Sequence, residues 1–258
     1  MRILILTTAA LLLALSGCGN QSREQLGDAD VLYERAKRAA DNHNYRDATV
    51  YYEQLEARFP FTNAARQGQL DLMYAYYKNR EPEAAIDQAD QFIRENPAHP
   101  RVDYAYYIKG LVHFERNPNF LERWFRADLS QRPPSDARSS FQSFQTLVQR
   151  FPSSEYAPDA RQRMVFLRNR LASYEVYVAD YYLSRGVYVG ALNRARYAVE
   201  NYDGAPQIKR ALEIMTEAYQ HLGMTQLAGD TERVLRENFA NVDQPQPNDE
   251  EKSWWKFW

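Results

Sequence analysis

A single cysteine in 258 residues, Cys18, rules out an intrachain disulfide. Histidine is nearly as scarce. His43, His99, His113 and His221 stand far apart, and none belongs to an HExxH or another recognisable ligand spacing. The chain has no cysteine pair and no glycine-rich loop of the kind that cradles phosphate. These absences remove the usual signals of metal, redox and nucleotide chemistry. His113 lies within the apolar pattern of a helix and reads as a core histidine rather than a ligand. Carboxylates are plentiful, but they fall on polar helix faces. No stretch alternates apolar and polar residues between turn signals, so strands are not expected. A formal net charge of −2 provides no basic footprint for nucleic acid. The long apolar run, Ile3 to Leu15, is too short for a bilayer span, which takes about 20 residues.

What the chain does have is a recurring stop. Glu53–Pro60, EQLEARFP, returns as Gln145–Pro152, QTLVQRFP, with a looser copy at Phe92–Pro97, FIRENP. Each copy reads as the end of an amphipathic helix halted by proline, which lacks the N–H and crowds the preceding turn. A small residue stands twelve positions before each proline: Ala48, Ala85 and Ser140. The same offset joins Ala191 to Asp203 and Ala228 to Ala240. A small residue early in a helix lets a neighbouring helix approach closely. With a second helix ahead of each copy, this is the signature of a tetratricopeptide array, whose period is about 34 residues. The expected fold is all-α, a tetratricopeptide-repeat superhelix of about five helical hairpins.

The expected helix pairs are Ala29–Asn42 with Tyr45–Phe59, Ala64–Lys78 with Pro82–Glu95, Arg101–Arg116 with Ser135–Arg150, Tyr156–Arg185 with Tyr188–Asn201, and Pro206–Leu222 with Met224–Ala240. Asp28 or Asp30 is a candidate cap for the first helix, and Ser135 for the sixth. Pro82 suits a first turn, where a missing N–H is harmless. Pro60 to Pro97 spans 37 residues but Pro97 to Pro152 spans 55, so Asn117–Pro134 is an insertion inside the third hairpin. Loops of that length are often functional. Residues 28–152 form the first three repeats and 153–240 the last two. Asn241–Glu251 is rich in proline and acid and is expected to be disordered.

Met1–Gly17 carries one charge, Arg2, ahead of its apolar run and reads as a signal peptide. Leu15-Ser16-Gly17-Cys18 resembles the lipobox of bacterial lipoproteins. That resemblance implies diacylglycerol and an N-acyl chain on Cys18, which removes its thiol as a nucleophile, and no other cofactor. Two or more acyl chains anchor stably. Gly19 stands where the inner-membrane retention signal usually has Asp, which implies the outer membrane and a folded part facing the periplasm. Residues 20–27 then serve as a polar tether.

Binding surfaces remain. In such arrays the first helix of each hairpin lines the concave face. There the chain has Tyr33, Lys37, Leu70, Tyr74, Tyr77, Lys78, Tyr104, Tyr107, Leu111 and Phe114. Tyr33, Lys37, Tyr74, Tyr77, Tyr104 and Tyr107 are the candidate contacts for an extended peptide, since tyrosine offers area at low entropic cost and a hydroxyl for backbone groups. Packing between helices is the competing reading for any one of them.

The lipobox, five repeats, RFP stops, long helix into repeat 4 and Arg185–Arg194, RGVYVGALNR, together resemble the BamD family, the lipoprotein subunit of the outer-membrane β-barrel assembly machinery. The resemblance covers Cys18 to about Ala240. It implies a non-catalytic periplasmic scaffold that docks the last POTRA domain of the barrel subunit, BamA, through its C-terminal repeats. It also implies contacts with other lipoproteins of the machine, and recognition of unfolded outer-membrane proteins by the N-terminal repeats. Its docking motif falls on Tyr188, Asn193 and Arg194; the arginine would pair with an acidic residue of the barrel subunit. The end Lys252–Trp258 departs from the family picture, with four aromatics in seven residues. A membrane interface, a neighbouring lipoprotein and the chain's own peptide groove are its three readings. The rival functions are another periplasmic repeat scaffold, for cell division or polysaccharide export, and an accessory of a cell-wall enzyme.

Overall fold

The computed structural model describes residues 18–115 and 133–239, with side chains from residue 27 onward. The signal segment, most of the Asn117–Pro134 insertion and the aromatic end lie outside the described residues. Among those described there are ten helices and no strand: α1 Cys18–Asp41, α2 Tyr45–Arg58, α3 Asn63–Lys78, α4 Pro82–Glu95, α5 Val102–Glu115, α6 Ser135–Arg150, α7 Ala157–Ser184, α8 Tyr188–Asn201, α9 Ile208–His221 and α10 Thr225–Phe239.

Four of the turns inside the hairpins share one geometry. After α1, α3, α7 and α9 a residue with positive φ ends the helix: His43 (61°), Arg80 (62°), Gly186 (70°) and Gly223 (73°). The next N–H donates back to a carbonyl five residues earlier: Asn44 to Ala39 (2.9 Å), Glu81 to Tyr76 (3.0 Å), Val187 to Tyr182 (2.9 Å) and Met224 to Tyr219 (2.9 Å). This is the Schellman closure, which satisfies carbonyls that a helix end leaves bare. Glycine takes the left-handed conformation freely; His43 and Arg80 take it against the clash of their own Cβ.

The stops between hairpins also repeat. Phe59, Asn96, Phe151 and Tyr202 each donate a last helical bond, to Leu55, Phe92, Leu147 and Ala198. The small residues twelve positions before each stop are buried: Ala48, Ala85, Ser140 and Ala191 have no exposed surface, and Ala228 has 5%. Close approach is tightest at Gly110 on α5, where an added Cβ would run into the ring of buried Phe144 on α6.

Two compact units result, each with its own packing. In the first (described residues 18–115 and 142–161), α1 to α5 pack each on the next, and α1 on α3 and α3 on α5 besides. One of its cores joins Ala29, Ala36, Ala48, Tyr52, Leu55, Ala65, Leu72 and Ala75. In the second (133–141 and 162–239), α8 packs on α9 and α9 on α10.

Four expectations need correction. The first helix begins at Cys18, not near Ala29, so residues 20–27 are helical and neither Asp28 nor Asp30 caps it. Arg, Glu, Gln and Leu there propagate a helix well, although the segment has no apolar stripe to announce one. Ser135 is the first helical residue rather than the cap, because the Arg138 N–H donates to Pro134 O (2.9 Å). Leu70 (1% exposed) and Leu111 (8%) lie in the core instead of on an open face. Pro82 does occupy the first turn of α4.

Candidate functional site

The first unit holds a cleft of about 510 Å³ among α1, α2, α3 and α5. Tyr33, Lys37, Tyr74 and Tyr104, four of the six residues expected to meet a peptide, line it. Their helices bring them together because each first helix of a hairpin packs on the next one. Tyr74, 39% exposed, is the most open of the cleft tyrosines. It meets Tyr45 edge-on at 6.1 Å and Tyr77 at 6.2 Å, and Lys78 Nζ lies 5.9 Å over its face.

Asp71 is the residue that periodicity missed. It stands one turn before Tyr74, beside Leu70, and takes the cleft position while Leu70 turns to the core. Tyr33 donates its hydroxyl to Asp71 Oδ2 (2.8 Å), and Gln67 Nε2 donates to Oδ1 (3.2 Å). Burial pushes the Asp71 carboxyl above its ordinary range, against the opposing pull of those bonds, Arg101 and Lys37. Burial likewise raises the Tyr33 and Tyr104 hydroxyls, which stay protonated donors at neutral pH. The cleft thus has aromatic walls, a cation at Lys37 and an acceptor at Asp71. That set suits a chain with apolar side groups and backbone donors and acceptors to satisfy.

The other two expected residues go elsewhere. Tyr77 lines a smaller cleft of about 370 Å³ with Arg80, Pro82, Val112 and Glu115, and donates its hydroxyl to Glu115. Tyr107 stacks on Tyr156 (4.7 Å, 21°) and donates to Asp159 Oδ2 (2.8 Å), which makes it a packing residue between α5 and the start of α7.

In the second unit, Tyr188 lies flat on His221 (4.2 Å between rings, 8°). Val187 and Val189 beside it are 49% and 57% exposed. Asn193 Oδ1 accepts from Arg196 (2.9 Å). Arg194 is not a free surface arginine: its Nη1 donates to Glu175 Oε2 at 2.9 Å. Glu175 is 1% exposed, and its other oxygen accepts from Arg138 Nη2 at 3.2 Å. Its own hydrogen bond to Glu175 raises the Arg194 pKa further. Glu175 was findable, since it falls on the buried stripe Leu171, Ala172, Val176 and Ala179 of α7, where an acid is out of place.

Among the described residues, no helix is long and apolar enough to cross a membrane, and no group of His, Cys, Asp or Glu could hold a metal ion.

The family model described as "Outer membrane lipoprotein" (YfiO) matches residues 26–235. The chain is 42% identical, over 98% of both sequences, to "Outer membrane protein assembly factor BamD" of Neisseria meningitidis serogroup A / serotype 4A (strain DSM 15465 / Z2491). It is 41% identical over the same shares to the protein so named in Neisseria gonorrhoeae. The Vibrio cholerae serotype O1 (strain ATCC 39315 / El Tor Inaba N16961) counterpart is 37% identical, over 90% of this chain and 98% of that one.

Proposed function

Because this chain belongs to the outer membrane lipoprotein family whose model it matches, we propose that it is a non-catalytic scaffold of outer-membrane β-barrel assembly. The observation that carries this reading is the near-complete mutual coverage with relatives named as assembly factors. Cys18 bears the diacylglycerol and N-acyl anchor, and the repeats stand on the periplasmic face of the outer membrane. The second unit docks the POTRA domain of BamA through Tyr188, Asn193 and Arg194, beside the other lipoproteins of the machine. The first unit receives unfolded outer-membrane proteins in the cleft walled by Tyr33, Lys37, Tyr74 and Tyr104.

Two binding measurements test it. Titrating the protein with the membrane-proximal POTRA domain of BamA gives micromolar or tighter binding, weakened at least tenfold by Arg194→Gln; no binding by the wild type removes the assembly reading. Arg194→Glu is a poorer probe, because it also sets a like charge against buried Glu175. The cleft is tested with a labelled, aromatic-rich peptide from the last strand of an outer-membrane protein. Tyr74→Ala and Lys37→Ala weaken that peptide by about tenfold each, in line with aromatic and charged anchors at binding hot spots. Equal affinity in both variants places peptide recognition elsewhere.

A further inference from the structure

An arginine that docks a partner has no evident reason to be tied to a carboxylate of its own chain, yet Arg194 is. We propose that Glu175 and Arg138 are positioning residues for docking: Glu175 holds the Arg194 guanidinium in place, and Arg138 neutralises Glu175 so that the charge of Arg194 remains available to a partner carboxylate. The inference rests on the docking reading of Arg194.

The geometry is a carboxylate bridged by two arginines from different helices. Glu175 on α7 gives Oε1 to Arg138 of α6 (3.2 Å) and Oε2 to Arg194 of α8 (2.9 Å). The carboxylate is sealed at 1% exposure, whereas the arginine side chains are 44% and 43% exposed. Glu175 engages one terminal nitrogen of Arg194; the fork presents further N–H groups to the outside. Held this way, the guanidinium has already lost the rotamer freedom that a partner would otherwise have to remove, which is preorganisation.

The charge count explains the second arginine. Arg194 and Glu175 alone form a neutral pair, and an incoming carboxylate would meet a buried negative charge behind the arginine. With Arg138 added the cluster carries a net single positive charge, facing outward. Stability is a poor explanation for the cluster. A buried ion pair is often no better than well-packed apolar residues, and the Arg138 Nε is buried without a hydrogen-bond partner. The arrangement gives up a bond to place its charges.

The test compares the acylated protein in detergent with Glu175→Asp, Glu175→Gln, Arg138→Gln and Arg194→Gln, alone and combined, by calorimetric titration with the POTRA domain. Glu175→Asp keeps the charge but is too short to bridge both arginines. Glu175→Asp and Arg138→Gln each weaken docking about tenfold, as truncating one partner of a buried charge pair does. In the Arg194→Gln background they change affinity less than about twofold, since they act through that arginine. Nitrogen-15 spectra of the Arg194 side chain give a readout that needs no partner: slow guanidinium rotation in the wild type, fast rotation in Glu175→Gln. Wild-type affinity in both Glu175→Asp and Arg138→Gln, with Arg194→Gln impaired, overturns the positioning roles while the docking reading stands. A tenfold loss that persists without Arg194 also overturns them, as a general structural effect. An unimpaired Arg194→Gln, or no binding by the wild type, removes the docking reading and the inference with it.

Discussion

Asp71 sits in the cleft at a loss of solvation that its neighbours do not fully offset, since its pKa is raised. The folded protein therefore holds this proton more readily than the unfolded chain. Between the ordinary carboxylate pKa and the raised one, the folded state binds more protons, so stability falls as pH rises through that window and is flat above it. Asp71→Asn keeps the shape without the charge. Its melting temperature exceeds wild type at neutral pH, and the difference closes as pH falls below the carboxylate range. If the cleft receives peptide, the same variant binds it less well, which thermal scans and peptide titration read separately. Glu175 behaves in the opposite way when its partners are changed. Arg194→Glu puts a second carboxylate against it and destabilises the second unit by about 1–3 kcal/mol, less than the full loss of a buried partner because Arg138 stays and Arg194 is half exposed. Urea denaturation followed by circular dichroism measures that loss. Glu175 left a mark in the sequence as an acid on an apolar stripe, whereas Asp71 left none. Asp71 and Leu70 are neighbours on α3, and periodicity alone could not say which faced the cleft; apolar burial decided it. The six expected tyrosine-face positions share an origin on the first helix of each hairpin, but Tyr107 found ring and carboxylate partners within its own unit.

At the level of the helix, proline and glycine made most ends legible. α6 and α8 have the bounds expected from Pro134, Pro152 and Gly186, and the small residues twelve positions before each stop are buried. The start of α1 was hidden because a polar run that propagates a helix leaves no periodic mark. The hairpin turns allow a direct test. Arg80 is exposed and has φ of 62°, where glycine is free of strain. Arg80→Gly stabilises the first unit by about 0.5–1 kcal/mol, the left-handed penalty less the added entropy of an unfolded glycine. At Gly110 the sign reverses. A methyl group there meets the Phe144 ring, and Gly110→Ala destabilises by about 1–3 kcal/mol as an overpacked contact. Equilibrium unfolding of the two variants side by side checks both signs.

For the whole molecule, the two candidate surfaces differ in chemistry. The cleft of the first unit is mostly aromatic, with the cation Lys37 and the acids Asp41 and Asp71 at its wall, while the surface around Arg194 presents the outward charge of that arginine. Raising salt from about 0.05 M to about 0.5 M shortens the screening length severalfold, so the proposed docking by the second unit weakens more than the proposed peptide capture by the first, where aromatic contacts stand beside the charge of Lys37. Isothermal titrations of one preparation at both salts separate them; equal salt dependence argues against this division of labour. The packing of each helix on its neighbours in sequence carries a kinetic consequence. A contact made between adjacent hairpins closes a short loop and needs no distant segment, so folding proceeds on the microsecond-to-millisecond scale typical of helical proteins of low contact order. In the receptor role proposed for it, the protein thus reaches its own native state far ahead of clients whose strands must find partners across the whole sequence.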